Sequence, residues 1–281
     1  MNGTRQRDQG DPIARIAEAL ERISPPPASA DWLKFPAYVW DGANARPVTR
    51  LVAPDLALLR GIDRQKGQVV DNVRRLAAGH ASHDMLLWGA RGMGKSALIR
   101  ASIRAAQDNG PSNLALVQVA AEALDGLAGL FCELGRHDRN FLAFIDDLGF
   151  AESDSAGPRQ LRSWLEGGVE ARPANVRLAV TSNRRAIVPR HGAEQDDPIN
   201  PRDAVDDRLA LADRFGLSIG FHNCTQDDYL AIVAGYAGEY GLGWDEGEAL
   251  EWAKRRGARS GRTAWQYITE LAGRAGKTLP G

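Results

Sequence analysis

Short apolar runs alternate with segments of helical periodicity over most of the chain. Five runs predict buried strands: Met85–Trp88, Leu114–Val119, Phe141–Ile145, Val176–Thr181 and Leu217–Phe221. Helical patterns precede or separate these runs, around residues 68–78, 97–104, 121–133 and 159–165. Because strands that alternate with helices form parallel sheets covered on both faces, the pattern predicts an α/β fold.

The pattern changes on both sides of this alternating region. After Thr225 it is helical only, near residues 226–240, 245–256 and 262–274, which predicts a small all-helical lid. Before Leu51, an amphipathic helix begins at Asp11 and ends at Pro25, and its apolar stripe packs on the core or docks a partner. Aromatic residues around Pro36 then predict an extended segment laid over a groove. We therefore expect an N-terminal part at 1–50, an α/β core at 51–223 and a lid at 224–281.

Composition and charge restrict the class of protein. With 281 residues, 43% hydrophobic and 25% charged, the chain can bury one sizeable core plus a smaller domain. A net charge of -1 gives no whole-chain attraction to nucleic acid or to an anionic membrane. No apolar run approaches a membrane span and the polar N-terminus lacks a signal core, so a cytoplasmic protein is expected. Cys132 and Cys224, both in apolar surroundings, are predicted to be buried thiols.

The stretch from Gly89 to Ser96 fits the phosphate-binding pattern GxxxxGK[ST] and lies between a predicted strand and a predicted helix. Glycines allow backbone N–H groups to face phosphate oxygens, and the helix N-terminus adds partial positive charge. Lys95 would reach the terminal phosphates, and the Ser96 hydroxyl would ligate Mg²⁺. The predicted ligand is ATP or GTP, and the predicted contacts are Gly89, Ala90, Arg91, Gly92, Met93, Gly94, Lys95, Ser96 and Ala97.

Polar residues end two of the predicted strands. Asp146 and Asp147 close the third strand, and Asn183 closes the fourth. Ligands of open α/β sheets lie beyond the carboxyl ends of the strands, so these side chains are expected near the phosphate loop. Asp146 would then hold Mg²⁺, Asp147 would orient or deprotonate the attacking water, and Asn183 would bond the γ-phosphate or that water. The alternatives are that the aspartates cap the next turn and that Asn183 begins a loop.

Several segments in this order resemble the AAA+ ATPases. They are the phosphate loop, the Asp-ended strand within Phe144–Leu148, the Asn-ended strand within Thr181–Arg185, the segment Asp213–Leu217 and the helical lid. These segments, with Leu165–Gly168, make the chain most similar to a bacterial AAA+ family catalogued only as a domain of unknown function. The likeness extends from about Leu51 to Ala275. It implies a phosphate-loop NTPase fold, a parallel sheet between helices followed by the lid.

The resemblance also implies roles for single residues. Asn183 matches the first sensor, and Arg262 at the start of the last lid helix matches the second sensor, which touches the phosphates. Arg214 matches the arginine finger that reaches the γ-phosphate of a neighbouring subunit, with Arg208 as the reserve candidate. Ile62 matches the segment whose backbone meets adenine. For each arginine the alternative is a solvated or salt-bridged surface position.

One departure from the family pattern affects the expected activity. Asp147 stands where these ATPases commonly have a glutamate, and its shorter side chain is expected to slow hydrolysis. The predicted function is an oligomeric ATPase that uses ATP to remodel or load an unidentified macromolecule. An ATP-gated assembly module with negligible hydrolysis and a phosphate-loop kinase are the alternatives. Ala120–Leu124 lacks an aromatic-glycine pore loop, so protein threading is not predicted.

The expected partners are further copies of the chain and an unidentified macromolecule, with no membrane. Nucleic acid is an open alternative because basic residues cluster in the lid, namely Lys254, Arg255, Arg256, Arg259 and Arg262. The same cluster is also typical of a solvated helix face, and no base-reading motif accompanies it. The loop at 192–207 contacts a partner or is a solvated connection.

Overall fold

The computed structural model describes residues 30–108, 113–150, 172–183 and 212–280, with isolated positions 13, 16, 157, 161, 164 and 165. The predictions for Arg208 and for the loop at 192–207 lie outside these residues, as do most of the N-terminal helix and of the helix at 159–165. Of the N-terminal helix, Ile13 and Ile16 are described, and both are exposed. These two side chains therefore do not pack on the core.

A sheet of seven strands forms the centre of the described structure. Its strand order is β2-β1-β4-β5-β6-β3-β7. The strands are β1 (Ala37–Trp40), β2 (Ala45–Val48), β3 (Met85–Gly89), β4 (Leu114–Val119), β5 (Asn140–Ile145), β6 (Val176–Ser182) and β7 (Leu217–Phe221). Neighbouring strands are parallel except β1 and β2, which form an antiparallel hairpin. All five strands predicted from the apolar runs are present, which confirms the α/β fold.

Helices cover both faces of this sheet. The helices α1 (Asp63–Ala77), α2 (Lys95–Asp108) and α3 (Leu127–Gly135) belong to the α/β part. Met85 and Leu87 of β3 pack in the cluster that contains α1 and α2, whereas Leu86 packs in the cluster that contains α3. This alternation follows from the strand pleat, which directs successive side chains to opposite faces. Both faces of β3 are therefore buried, as its continuous apolar run predicts.

The predicted helix at 121–133 is divided into two pieces. Residues Ala121–Gly126 form a 3₁₀ helix, and α3 follows from Leu127. The division falls at Gly126, where a Cβ atom would lie 2.4 Å from the Trp40 ring. Contact with the N-terminal segment therefore requires a glycine at the position where the two pieces meet.

The aromatic N-terminal segment is part of the sheet, which corrects the prediction that it lies over a groove. Its last four residues form β1, which pairs in parallel with β4 and antiparallel with β2. The buried side chain of Arg139 donates a 2.7 Å hydrogen bond to the Trp32 carbonyl oxygen. The backbone N–H of Leu116 donates a hydrogen bond to the Pro36 carbonyl oxygen. Tyr38 and Trp40 pack in the same core cluster as α3. The segment is therefore held by backbone pairing as well as by aromatic packing.

Three helices follow the last strand, as predicted for the lid: α4 (Gln226–Glu239), α5 (Glu246–Arg255) and α6 (Gly261–Arg274). The side chains of Thr225, Asp245 and Ser260 cap their N-termini. Tyr229 and Tyr267 of the lid share one hydrophobic cluster with α1 and α2, so the lid packs directly on the α/β part. Within the described residues, no helix has the length and apolar character needed to cross a membrane.

The two cysteines differ in exposure. Cys224 is buried, as predicted, and burial raises the pKa of its thiol to about 11. Cys132 is exposed, so the prediction of a second buried thiol is wrong. It lies on α3, whose opposite face carries the buried Leu130, Phe131 and Leu134. An apolar neighbourhood in sequence does not bury a residue that falls on the outer face of a helix.

Candidate nucleotide-binding site

The phosphate loop joins β3 to α2 and has the backbone that its glycines permit. Gly89 and Gly92 have φ values of 124° and 74°, in the region that side chains disfavour. A Cβ atom on Gly89 would lie 2.0 Å from the Phe221 carbonyl oxygen, which accepts a 3.0 Å hydrogen bond from the N–H of Ala90. The end of β7 thus fixes the start of the loop at the N-terminus of α2.

Lys95 points back into the loop. Its Nζ donates 2.9 Å hydrogen bonds to the carbonyl oxygens of both Gly89 and Ala90, and the residue is only 7% exposed. Burial lowers the pKa of Lys95, while the charges of Asp147 and Asp146 oppose that shift and those of Arg262 and Arg91 add to it. A buried ammonium with only carbonyl partners is well suited to gain anionic oxygen ligands.

Ser96 and Asp146 meet beneath the loop. The Ser96 hydroxyl donates a 2.5 Å hydrogen bond to Asp146 Oδ1, which also accepts a 2.6 Å hydrogen bond from the Thr181 hydroxyl. These oxygen atoms come from α2 and from the ends of β5 and β6, so three separate elements build the group. Oxygen-only donors fit Mg²⁺, which binds one or two protein ligands and takes the rest from phosphate and water. The described residues contain no cluster of three His, Cys, Asp or Glu side chains that could hold a metal ion.

Asp147 has an unusual backbone. Its φ is 55°, and no other non-glycine residue in the described ranges has a positive φ. Its N–H donates a 2.8 Å hydrogen bond to Thr181 Oγ1, its carboxylate accepts a hydrogen bond from the Asn183 amide, and Arg91 lies 4.0 Å away. The structure thus brings the two predicted strand-end residues, Asp147 and Asn183, into direct contact. Non-glycine residues in sparsely populated conformations are common at functional sites.

The lid forms one wall of the site. The backbone N–H of Arg262, at the start of α6, donates a 3.2 Å hydrogen bond to the Gly92 carbonyl oxygen. A Cβ atom on Gly92 would lie 2.8 Å from Ser260 Oγ and 3.1 Å from Arg262 Cβ. The predicted lid arginine therefore lies beside the phosphate loop, with its side chain exposed.

These groups surround a cavity of about 630 Å³, a typical volume for a small-molecule site. Met93, Gly94, Ala97, Asp146 and Asn183 are among its lining residues. Ile62, predicted at the adenine, is buried at the start of α1 and also lines it. Sequence reasoning missed the remaining wall, which consists of Leu58, Leu59, Arg60, Arg100, Ile232, Tyr236 and Trp265. Of these residues, Trp265 was the easiest to predict from the sequence, because it follows Arg262 by three residues and so lies on the same face of the helix.

Arg214 lies apart from this cavity. It precedes β7, whose first residue Leu217 pairs with Met85 at the start of β3, whereas the phosphate loop begins at the far end of β3. A strand of five residues spans roughly 16 Å. Arg214 therefore lies at the N-terminal ends of β3 and β7, whereas the phosphate loop of its own chain lies at their C-terminal ends. It does not line the cavity.

Comparisons with known proteins agree with this architecture. The family model described as "Protein of unknown function (DUF815)" matches residues 33–275. No curated protein matches the chain at a significant level. The RuvB Holliday junction branch migration motor of Thermotoga maritima aligns with a TM-score of 0.51 and 17% identity, over 81% of this chain and 68% of that chain.

Archaeal structures give a similar result. The ORC1 protein of Aeropyrum pernix, solved in complex with DNA, aligns with a TM-score of 0.54 and 15% identity, over 80% of this chain and 66% of that chain. The ORC2 protein of the same organism, with ADPNP and ADP, gives a TM-score of 0.53 and 14% identity over the same shares, 80% and 66%. At such identities the likeness concerns the fold, which is that of the AAA+ phosphate-loop NTPases.

Proposed function

We propose that this chain, which belongs to the DUF815 family and has the AAA+ fold, binds Mg-ATP between its α/β core and its lid and hydrolyses it. One observation carries the proposal: Ser96 and Asp146 lie 2.5 Å apart, directly beneath a phosphate loop that ends in a buried lysine. A turn that served only to connect β3 and α2 would not need this combination of groups.

The chain's own residues suggest how the site works. Backbone N–H groups of the loop and the N-terminus of α2 would hold the phosphates, and Lys95 would exchange its two carbonyl partners for phosphate oxygens. Ser96 and Asp146 would hold Mg²⁺, which when bound neutralises charge on the phosphates. Asp147 would orient and deprotonate the attacking water, and Asn183 would keep the Asp147 carboxylate in place.

A second function is supported by the contacts of Asp147. Its carboxylate is already engaged by Asn183 and lies near Arg91, and its side chain is shorter than the glutamate common in AAA+ enzymes. If these contacts persist with ATP bound, water is not activated and the nucleotide only fixes the lid and the assembly. A slow ATPase and an ATP-gated module therefore use the same site and differ only in the rate of hydrolysis. Nothing in the cavity favours a kinase over either of them.

The position of Arg214 supports a site shared between subunits. At the opposite end of the strands from its own phosphate loop, Arg214 does not reach that loop, so any phosphate that it contacts belongs to a neighbouring subunit. We therefore propose a cytoplasmic homo-oligomer that couples its nucleotide cycle to remodelling or loading a macromolecule. A pull-down with a hydrolysis-deficient variant in the presence of ATP would identify that client, because the trapped ATP state retains it.

Phosphate release from ATP tests the function directly. The assay contains no acceptor substrate, compares Mg²⁺ with EDTA, and is repeated over a range of protein concentrations. An ATPase that uses a neighbour's arginine releases phosphate only with Mg²⁺ and has a specific activity that rises with protein concentration. Assembly on ATP without phosphate release would instead support the gated module. Absence of both turnover and ATP binding would exclude the proposal.

A further inference from the structure

The connection between α5 and α6 concentrates positive charge. Residues 252–269 contain five Lys or Arg residues and no Asp or Glu, although the whole chain has a net charge of -1. All five are exposed, and the four that precede α6 form what we call the basic turn: Lys254, Arg255, Arg256 and Arg259. None of the ion pairs found among the described residues involves them. The nearest carboxylates in sequence, Glu251 and Glu270, flank this segment, and neither forms an ion pair with the basic turn.

One guanidinium of the basic turn is held in a defined position. The Arg256 side chain lies 3.5 Å above the centre of the Trp252 ring, an attractive cation–π arrangement. Stacking restricts the guanidinium and leaves its N–H donors available at its edge. Less side-chain entropy is then lost when those donors bind an anion.

A groove adjoins the basic turn. It has a volume of about 630 Å³, and Lys254, Arg259, Gln226 and Asn223 supply its polar side chains. None of the described residues that line it is a carboxylate, and burial, together with the charge of Asp228 nearby, raises the pKa of the adjacent Cys224 thiol to about 11, so that this thiol stays protonated near neutral pH. The Arg259 guanidinium donates a 3.2 Å hydrogen bond to the Gln226 side chain, which keeps it at the groove. The groove therefore favours an anionic group.

Helix stabilisation, membrane binding and protein binding each fit the basic turn only in part. Lys254 and Arg255 complement the dipole at the C-terminus of α5, but Arg256 and Arg259 lie beyond that helix. A membrane surface or a protein interface would need exposed apolar side chains at its centre. The large hydrophobic side chains that are exposed in the described residues are Ile13, Ile16, Leu33 and Val52, none of which is in the lid.

We propose that the basic turn binds the sugar-phosphate backbone of a nucleic acid duplex. A duplex presents a regular array of phosphates, and guanidinium groups bind phosphate in a bidentate manner. The contacts are to the backbone and do not read sequence. This inference goes beyond the proposed ATPase and does not rest on it, because the basic turn is formed without nucleotide.

Fluorescence anisotropy with labelled duplexes about 25 base pairs long tests the proposal without ATP. The test variant combines Lys254→Gln, Arg255→Gln and Arg259→Gln, and retains Arg256 because it packs on Trp252. Each phosphate contact adds about 0.9 to the salt slope, so the variant should have a slope shallower by about 2 to 3. Its affinity should fall by about tenfold or more at roughly 50 mM salt. DNA and RNA duplexes of the same sequence are compared to determine which of the two nucleic acids the basic turn binds more tightly.

The matched control removes the same charge from exposed arginines elsewhere, through Arg46→Gln, Arg50→Gln and Arg64→Gln. It should bind the duplexes as the wild type does. Equal affinity of the test variant and the wild type, or tighter binding of the wild type to phosphatidylserine vesicles or poly-glutamate than to either duplex, overturns the proposal. If the test variant does not fold, single Lys254→Gln and Arg255→Gln variants replace it, and each should lower the slope by about 0.9.

Discussion

The backbone N–H of Arg262 donates a hydrogen bond to the carbonyl oxygen of Gly92, so the first turn of α6 is bonded directly to the phosphate loop. The N–H comes from the lid and the carbonyl from the centre of the loop. A change in the loop on nucleotide binding must therefore either move the lid or break this bond. The contact joins the lid to the loop, as a nucleotide-dependent movement of the lid would require.

Gly92→Ala should separate the lid from the loop. The new Cβ would lie 2.8 Å from Ser260 Oγ, and the φ of 74° is unfavourable for alanine by about 1–2 kcal/mol. We expect a lower free energy of unfolding, by at least that amount, together with weaker ATP binding. Denaturant titration and nucleotide titration measure the two effects separately.

Gly67→Ala is the matched control for that substitution. Gly67 lies within α1, has an ordinary backbone conformation and has no atom within 4 Å of an added Cβ. It should raise the free energy of unfolding by up to about 1 kcal/mol, as alanine does in helix interiors. Equal effects of the two substitutions would show that Gly92 is not specially constrained.

Lys95→Met should abolish ATP binding. The wild type, at a hundredfold excess of Mg-ATP over its dissociation constant, should gain about 2.7 kcal/mol of stability, and the variant almost none. Because Lys95 is buried and bonds two loop carbonyls, the variant should also be less stable than the wild type without nucleotide. Thermal shifts with and without Mg-ATP separate the two effects, with exposed Lys34→Met as the control. Identical ATP-induced shifts in Lys95→Met and wild type would contradict the site.

Regular elements were predictable because local sequence determines them. The runs at β3, β4 and β5 are buried on both faces, so an uninterrupted apolar pattern was sufficient evidence. The strand β2 was not predicted, because Arg46 and Pro47 interrupt any alternation. Its proline is tolerated at the sheet edge, where its missing N–H removes no ladder bond. Pairing of β1 with β4 is a long-range contact that the local pattern does not encode.

The candidate site also has features that the sequence predicts and features that it does not predict. Strand-end Asp146, Asp147 and Asn183 were predictable, since parallel strands end at one edge of the sheet. The left-handed backbone of Asp147 and the bond from Arg262 to Gly92 were not, because both depend on the final packing of separate elements. The functions given to these residues stay predictions that the following variants test.

Asp147→Asn should keep ATP binding and lose most of the turnover. Asparagine has the shape of aspartate and tolerates the observed φ of 55°, but its amide cannot accept the proton from water. Phosphate release and nucleotide affinity are measured together, and Asp125→Asn, at an exposed position of the 3₁₀ helix, is the control. Turnover equal to wild type would remove Asp147 from the catalytic residues.

Arg262→Ala should weaken ATP binding more than ADP binding. The backbone bond to Gly92 does not need the side chain, so the lid contact remains and only the guanidinium is lost. One charged hydrogen bond to the γ-phosphate corresponds to about a tenfold loss in ATP affinity. Gln266→Ala, on an exposed position of the same helix, should change neither affinity. Equal losses for ATP and ADP would show that the side chain does not reach the γ-phosphate.

Arg214→Ala should remove turnover without changing ATP affinity, because Arg214 lies at the sheet edge opposite its own phosphate loop. A residue of this kind contributes roughly 10³ to 10⁵ in rate in related enzymes. Mixing Arg214→Ala subunits, which keep the phosphate loop, with Lys95→Met subunits, which keep Arg214, should restore part of the turnover at mixed interfaces. Activity that does not depend on protein concentration, with a mixture as inactive as its components, would mean that no site is shared between subunits.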